Sequence, residues 1–445
     1  MMAPVSDEEP LEPTDDAGLH APERPGMGDT QHRAVVRFDL REQVRLLGHT
    51  IRWIVWGLVV GAIAGGAAFV FLRSLEWATD TRLDHPNLLL ALPLAGFAVG
   101  LAYHYLGGRS GGGNALLIDE IHEPRAWLPR RMAPLVLVST IVGHLFGASI
   151  GREGTAIQMA GSLTDGAARL ARLGPSERRI FLIASIAGGF GAVFGVPLAG
   201  TVFALEVQTV GRVRFDALVP AFVASVTGDL LVRGLGYDHE VVPAIGQVSL
   251  DAALLAKCAI AGVAFGLTAV VFADLTHALR QVMARLVDWP PLRPLLGGIV
   301  LVALVGLSDG RAYLGLSTPL VTDALVGGAG VVAGAFALKL LFTAVSLGTG
   351  FQGGEVTPLF VMGATLGVPL AHLLDLPVPL LASVGFVAVF AGASNTPLAC
   401  TVMAAELFGG GIIVPAAAAC IVSYVVSTER SIYESQRIDD PHSPA

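Results

Sequence analysis

Charged residues are scarce in this sequence. Only 14% of its 445 residues are Asp, Glu, Lys or Arg, whereas soluble globular chains contain about 25%. Apolar residues make up 53% of the chain, and the mean hydropathy is +0.66. This composition excludes an ordinary soluble globular protein and is typical of a protein with several membrane spans.

Cysteines and nucleotide-binding motifs are also scarce. Cys258, Cys400 and Cys420 all lie in apolar stretches and show neither metal-site spacing nor an even-numbered disulfide pattern. We therefore expect them to be packing residues, and we expect no metal site and no cofactor. The sequence has no GxxxxGK[ST] motif and no basic patch, so we expect neither a nucleotide nor a nucleic acid as a partner.

The net charge of −8 lies at the two ends of the chain. Residues 1–34 contain eight acids and two arginines, and this composition predicts a disordered acidic segment. Residues 35–435 form the predicted membrane domain, and residues 436–445 form a short tail. Residues 35–428 are neutral overall.

The apolar segments are uneven in length, and many are interrupted by Gly or Pro. A spanning helix needs about 20 apolar residues. Candidate segments lie near 51–73, 87–106, 133–150, 180–209, 216–236, 252–287, 292–308, 331–347, 358–374, 378–393 and 396–426. Such interruptions favour broken and re-entrant helices, which survive at membrane depth where protein buries them or where they line a cavity.

The chain repeats itself at an offset of about 200 residues. Residues 197–206 read PLAGTVFALE and residues 397–406 read PLACTVMAAE, so seven of ten positions are identical. GREGTAIQMAGSL at 151 likewise recurs loosely as GGEVTPLFVMGATL at 353. We predict two structural halves, at about 45–237 and 250–428, because internal repeats with interrupted helices are typical of transporters.

The GREGT motif at 151–155 predicts an anion site at the start of a helix. Its glycines allow close approach of the backbone, and a helix N-terminus attracts negative charge. Glu153 is then a carboxylate placed where a permeant anion would bind, and it competes for that site when it is charged. A loop in which Glu153 pairs with Arg152 is the alternative.

Two further glycine runs precede predicted helices. GGRSGGGNALLIDEIH at 107–122 predicts a flexible loop over 110–114 followed by a helix. Asn114 is placed either to donate to an anion or to cap that helix, and spacing alone favours the cap. In GTGFQGGEVTPLF at 348–360, Thr357 also suits a cap, whereas a buried Glu355 is costly without a function.

These three helix starts resemble the ion-filter motifs of the CLC family of chloride channels and transporters. The resemblance extends over about residues 45–435. It implies an all-α polytopic membrane protein with an inverted repeat of broken and re-entrant helices. It also implies a homodimer with one ion pathway in each subunit.

The resemblance implies roles for individual residues. Glu153 matches the gating glutamate that binds and releases a proton, and Asn114 matches the central-site residue. Tyr433 matches a tyrosine that closes the inner end of the pathway, although its position alone suggests an interfacial tyrosine. The predicted anion-binding set is Gly113, Asn114, Gly151, Arg152, Gly154, Thr155, Phe351, Val356 and Tyr433. Packing is an equally good explanation for Phe351.

Several details of the resemblance point away from chloride. Asn114 replaces the Ser of the chloride-type motif, Thr155 replaces the Pro of GREGP, and Val207 replaces the internal glutamate of chloride/proton exchangers. GGEVTPLF is similar to the fluoride-exporting CLC clade, in which Glu355 and Thr357 would line a route for fluoride and protons.

The sequence therefore predicts a fluoride/proton antiporter rather than an enzyme. It would lie in the lipid bilayer of the cell inner membrane. A chloride/proton exchanger or a passive anion channel with the same fold remains the alternative.

Overall fold

A computed structural model describes residues 40–240, 242–246, 248–428 and 430–438. The predicted acidic segment 1–34 and residues 439–445 of the predicted tail lie outside this part of the chain. The described residues are predominantly α-helical, which confirms the predicted fold class.

Eight helices make up the first half of the chain. They are α1 (Leu40–Asp84), α2 (Leu92–Ala102), α3 (Gly113–His122), α4 (Met132–Phe146), α5 (Glu153–Leu170), α6 (Pro175–Phe194), α7 (Pro197–Glu206) and α8 (Leu218–Gly234). Eight more follow in the second half. They are α9 (Ala252–Leu286), α10 (Leu292–Ser308), α11 (Thr318–Val326), α12 (Ala335–Gly348), α13 (Val356–Leu374), α14 (Val378–Ser394), α15 (Pro397–Phe408) and α16 (Ile413–Ser427).

Short elements join these helices. Single 3₁₀ or π turns lie at Pro86–Ala91, Tyr103–Gly107, Gly108–Gly112, Phe215–Ala217, Gly310–Tyr313 and Gly410–Ile412. Strand β1 (Thr209–Val210) pairs in parallel with β2 (Arg437–Ile438). Equivalent helices of the two halves begin at similar offsets, for example α7 at Pro197 and α15 at Pro397.

The helices are uneven in length, as the interrupted apolar segments indicate. Six described helical stretches are long and apolar enough to cross a membrane, and six other apolar helices have only 10–17 residues. The predicted single segments at 180–209 and 396–426 are each two helices. The first segment breaks at Gly195 (φ 72°) and the second at Gly409 (φ 92°). Asn395 (φ 56°) separates α14 from α15 as Gly195 separates α6 from α7, and Pro starts the next helix in both cases because it needs no N–H partner there.

Helices α6 and α14 form the centre of the bundle and are almost wholly buried. Helix α6 packs against α5 and α8, and α14 packs against α13, α9 and α16. Small residues bring α13 and α14 close together, since a Cβ atom on Gly363 would lie 1.9 Å from the Gly385 carbonyl oxygen. This close packing, usual between membrane helices, fixes the helix starts that face one another across the two halves.

The chain after α16 returns to the end of α7. Gln436 donates from Nε2 to the Val207 carbonyl (2.9 Å) and the Ser394 carbonyl (3.0 Å), and Arg437 pairs with Glu123. The Arg437 and Arg125 guanidinium groups hold the pKa of the Glu123 carboxyl below its usual value. These contacts, together with the β1–β2 pair, hold the segment that carries Tyr433.

Candidate anion-binding site

The two halves of the chain meet where α5 and α13 begin. The Gly151 N–H donates to the Gly354 carbonyl (2.7 Å), and the Gly354 N–H donates to the Gly151 carbonyl (3.0 Å), in an isolated antiparallel bridge. Helix α5 begins two residues after Gly151, and α13 begins two residues after Gly354. Two helix N-termini with their partial positive charges therefore meet at one point.

The Glu153 carboxylate occupies this meeting point. Its Oε1 accepts from the Val356 N–H (2.6 Å), and its Oε2 accepts from the Thr357 hydroxyl (2.8 Å) and the Arg152 N–H (3.0 Å). Glu153 has no exposed surface. Buried backbone N–H groups and a hydroxyl around a carboxylate form an anion-binding site, and here the anion is a side chain of the protein itself.

The alternative of a Glu153–Arg152 side-chain pair is wrong. Within the described part of the chain, the Arg152 guanidinium makes no ion pair with Glu153. It stacks instead over the Phe194 ring, 5.3 Å from the ring centroid. Arg152 therefore contacts Glu153 through its backbone N–H alone.

A cavity of about 660 Å³ lies beside the meeting point. Five of the predicted residues line it: Gly113, Asn114, Phe351, Glu355 and Tyr433. Glu355 precedes α13 as its N-cap residue and is partly exposed to this cavity rather than sealed in the bundle. The predicted site therefore has two parts: the point where α5 and α13 meet, which the Glu153 carboxylate fills, and the open cavity beside it.

Asn114 does not cap a helix. The predicted loop over 110–114 is a 3₁₀ turn that ends at Gly112, and α3 begins at Gly113, so Asn114 is its second residue. The α3 start has no side-chain cap hydrogen bond. The local spacing favoured the cap because it placed the helix start two residues too late. The Asn114 amide is instead available to the cavity that it lines.

Phe351 and Tyr433 are both buried, with 3% and 6% of their surfaces exposed, and both line the cavity. The alternative of an interfacial Tyr433 is therefore wrong. The Ile432 N–H donates to the Ala393 carbonyl (2.9 Å), which seats the segment against the end of α14. Phe351 also packs against α2, since a Cβ atom on Gly96 would lie 2.7 Å from its Cζ.

Gly154 and Thr155 have other immediate contacts. Gly154 lies against Asn114, with its Cβ position 3.1 Å from Asn114 Nδ2. Thr155 is fully buried, and its hydroxyl shares a 2.6 Å hydrogen bond with the Thr140 hydroxyl on α4. Thr155 does not line the cavity. Its side chain joins α4 to α5, and nothing in the geometry directs it to an anion.

Charged side chains also line the cavity. Arg280 and Arg293 line it together with Glu434, and Arg280 pairs with Glu434 at 2.7 Å. Arg280 is on α9, and Glu434 directly follows Tyr433. The cavity lining therefore combines guanidinium, carboxyl, amide and aromatic groups.

Glu206 and Glu406 anchor helix ends. The Glu406 carboxylate accepts from the Leu198 and Ala199 N–H groups (2.8 and 2.6 Å). The Glu206 carboxylate accepts from the Leu398 and Ala399 N–H groups (3.1 and 2.8 Å). Each glutamate caps the helix of the opposite half. Val207, which follows Glu206, is buried and presents no carboxyl group.

Sequence reasoning missed two residues of the site, Gly354 and Gln158. A Cβ atom on Gly354 would lie 2.0 Å from Glu153 Oε1, so only glycine fits beside the bound carboxylate. Gln158 lines the cavity one helical turn beyond GREGT and is 6% exposed. A polar residue one helical turn beyond the GREGT motif is the one signal in the sequence for Gln158.

Comparison with known proteins places this geometry in a family. The profile described as "Voltage gated chloride channel" matches residues 95–428. A "Chloride/fluoride channel protein" from Pseudomonas syringae pv. tomato is 47% identical over 410 residues, covering 90% of each chain. An "H(+)/Cl(-) exchange transporter ClcA" from Yersinia pseudotuberculosis is 25% identical over 408 residues, covering 84% of each chain.

Solved structures agree with the sequence relatives. A crystal structure of a CLC-type fluoride/proton antiporter has a TM-score of 0.84 and 32% identity, covering 87% of this chain and 98% of its own. A slow cyanobacterial Cl⁻/H⁺ antiporter has the same fold, with a TM-score of 0.72 and 19% identity, covering 85% and 93%. The chain is therefore a polytopic membrane protein that belongs to the voltage gated chloride channel (CLC) family.

Proposed function

We propose that this protein is a fluoride/proton antiporter that expels fluoride from the cell by using the proton gradient. The observation that carries the proposal is the environment of Glu153. Its carboxylate accepts hydrogen bonds from the Val356 N–H, the Thr357 hydroxyl and the Arg152 N–H. A site that holds a carboxylate so fully suits another small anion when the carboxylate leaves.

Exchange follows from the chemistry of Glu153. The charged carboxylate takes up the donors and excludes the anion. Protonation removes its charge and makes it a weaker acceptor, because charge-assisted hydrogen bonds are about twice as strong as neutral ones. The protonated side chain then leaves, and fluoride accepts from the Val356 N–H and the Thr357 hydroxyl. The proton and the anion alternate at one site, so their movements are coupled.

The cavity supports a route by which ions reach the Glu153 site. Glu355 lies in the cavity next to the start of α13, and Asn114 and Tyr433 line the same space. We assign Glu355 to proton transfer between the cavity and Glu153, and Asn114 to the anion. Fluoride is small and strongly hydrated, so it requires strong N–H donors, which the Asn114 amide supplies in place of the Ser of chloride-type motifs.

Two observations favour fluoride/proton exchange over the rival functions. The internal glutamate of chloride/proton exchangers is replaced here by the buried Val207, and the 32% identical structural relative is described as a fluoride/proton antiporter. The 47% identical relative carries the name of a channel, which makes passive fluoride conduction the second candidate. The hydrogen-bonded Glu153 carboxylate favours the antiporter, because a carboxylate that fills the site blocks simple conduction.

The family resemblance also supports an assembly and a location. We propose that the chain forms a homodimer with one pathway in each subunit and lies in the cell inner membrane. Chemical cross-linking of intact membranes tests the dimer: a cross-linked species of twice the monomer mass is expected, and a monomer at all cross-linker concentrations contradicts it.

Transport by purified protein in liposomes tests the function. Vesicles are loaded with equal fluoride and chloride, anion efflux is followed with ion-selective electrodes, and proton uptake is followed with a pH probe. We expect rapid fluoride efflux, slow chloride efflux and proton uptake that stops when fluoride is omitted. Faster chloride efflux contradicts the fluoride assignment, and fluoride efflux without proton movement assigns the protein as a channel.

A further inference from the structure

Three carboxamide side chains, Asn114, Gln158 and Gln352, line the cavity. Gln352 donates to the Gly350 carbonyl (3.3 Å), whereas the other two make no hydrogen bond to a described residue. Gln158 lies on α5 and Asn114 lies on α3. Asn114 Oδ1 and Gln158 Oε1 are buried, and neither oxygen has a hydrogen-bond partner among the described residues. Buried polar side chains are nearly always hydrogen-bonded, so two carboxamides without hydrogen bonds in the lining of one cavity require an explanation.

The two side chains pack reciprocally against the glycines of each other's motif. A Cβ atom on Gly154 would lie 3.1 Å from Asn114 Nδ2, and a Cβ atom on Gly113 would lie 3.3 Å from Gln158 Nε2. Gly113 also has a left-handed φ of 53°. The absence of side chains at these glycines therefore brings the carboxamide of each helix next to the backbone of the other.

We propose that Gln158 is a second carboxamide of the anion site and a determinant of fluoride selectivity. This proposal rests on the proposed function. Each carboxamide has two N–H donors, and a half-turn of its terminal torsion exchanges the nitrogen and the oxygen. Asn114 and Gln158 together offer up to four N–H groups to one small anion. Fluoride loses more hydration than chloride on entering the site, so it gains more from these donors.

Another glutamine in the bundle shows what a structural role looks like. Gln208 is fully buried after the end of α7. Its Oε1 also lacks a hydrogen-bond partner among the described residues, but its Nε2 donates to the Ala204 carbonyl of its own helix end. It does not line the cavity. Gln158, by contrast, donates to no described residue and contacts the cavity. The pair therefore provides a site residue and a matched control of the same chemical type.

Fluoride and chloride binding to the purified full chain in detergent, measured by calorimetry, tests the proposal. Gln158→Met keeps the length of the side chain and removes the donors. We expect it to weaken fluoride binding about ten- to hundredfold, the loss expected for one hydrogen bond to a charged group. Chloride binding should change less, so the fluoride/chloride ratio should fall. Gln208→Met should leave both affinities unchanged.

A second variant keeps the test decisive if Gln158→Met folds poorly. Gln158→Glu conserves shape and adds a negative charge, so fluoride binding at neutral pH should be lost. Fluoride affinity within twofold of wild type in both variants overturns the proposal. So does an equal loss of fluoride and chloride affinity, since a merely structural role predicts that result. Proton coupling of the wild type is measured separately in liposomes, so failure of the antiporter proposal is distinguished from failure of this one.

Discussion

The two halves of this protein contact each other at two places where helix starts meet, which we call crossings. Both crossings contain glutamates, but the glutamates make different contacts in each. At the α7–α15 crossing, Glu206 and Glu406 each accept two N–H groups from the start of the opposite helix. At the α5–α13 crossing, only Glu153 reaches the opposite half, and its repeat partner Glu355 lies in the cavity. The first crossing is symmetric, and the second is not.

The difference indicates where the repeat has been adapted for transport. In the symmetric crossing, both carboxylates are fully used as helix caps, so neither is free to move without leaving N–H groups unpaired. In the asymmetric crossing, the Glu153 carboxylate fills an anion site, and the Glu355 carboxylate faces the cavity. The symmetric crossing therefore holds the halves together, whereas at the asymmetric crossing an anion can replace the Glu153 carboxylate.

The largest expected effect comes from neutralising Glu153. Glu153→Gln removes the group that carries the proton while conserving its size. We expect proton transport in liposomes to fall at least about a hundredfold, the scale of losing a positioned proton-transfer group. Fluoride efflux should continue without proton uptake.

Glu206→Gln is the matched control for that substitution, because it makes the same change at the symmetric crossing. Its fluoride and proton fluxes per folded protein should stay close to wild type. Equal loss of proton coupling in both variants would contradict the distinction between the two crossings.

The next effect comes from steric displacement of the seated carboxylate. In Gly354→Ala, the new Cβ would lie 2.0 Å from Glu153 Oε1 and 2.8 Å from the Gly154 nitrogen. Overpacking of this kind costs about 1–3 kcal/mol, which shifts the occupancy of the seat about tenfold or more. We expect fluoride efflux that is only partly coupled to protons, although Glu153 is still present.

Gly166→Ala on α5 is the control for this prediction, since a Cβ at Gly166 meets no atom within 4 Å. It should transport like wild type. Tight coupling in Gly354→Ala would show that the Glu153 seat tolerates a methyl group, and would argue against a carboxylate held in one closely fitted place.

Much of this arrangement could be predicted from the sequence, because helix starts have local signals. GREGT and GGEVTP marked the starts of α5 and α13. The start of α7 at Pro197 was not predicted, because it lies inside the predicted single segment 180–209. The partners of each glutamate could not be predicted, because they lie about 200 residues away and depend on packing between the halves. Gln158 was missed for the same reason, since its environment comes from α3.

A smaller effect, on stability rather than transport, is expected at the symmetric crossing. Glu206→Gln leaves one carbonyl oxygen to accept from two N–H groups, Leu398 and Ala399. Loss of a helix cap costs about 0.5–2 kcal/mol, so thermal unfolding in detergent should begin at a lower temperature. Glu406→Gln should cause a similar decrease, because its contacts mirror those of Glu206. Strongly unequal decreases would contradict the symmetry of this crossing.

The smallest effect is expected for Thr155, which the motif alone assigned to the anion. Its hydroxyl is bonded to Thr140, and Thr140 also donates to the Gln352 carbonyl at 3.3 Å. Thr155→Val removes one neutral hydrogen bond worth about 1 kcal/mol and leaves Thr140 with its second partner. The fluoride KM in liposomes should therefore stay within about twofold of wild type. A tenfold rise would mean that this hydroxyl turns to the anion during transport, and the asymmetric crossing would then extend one residue further along α5.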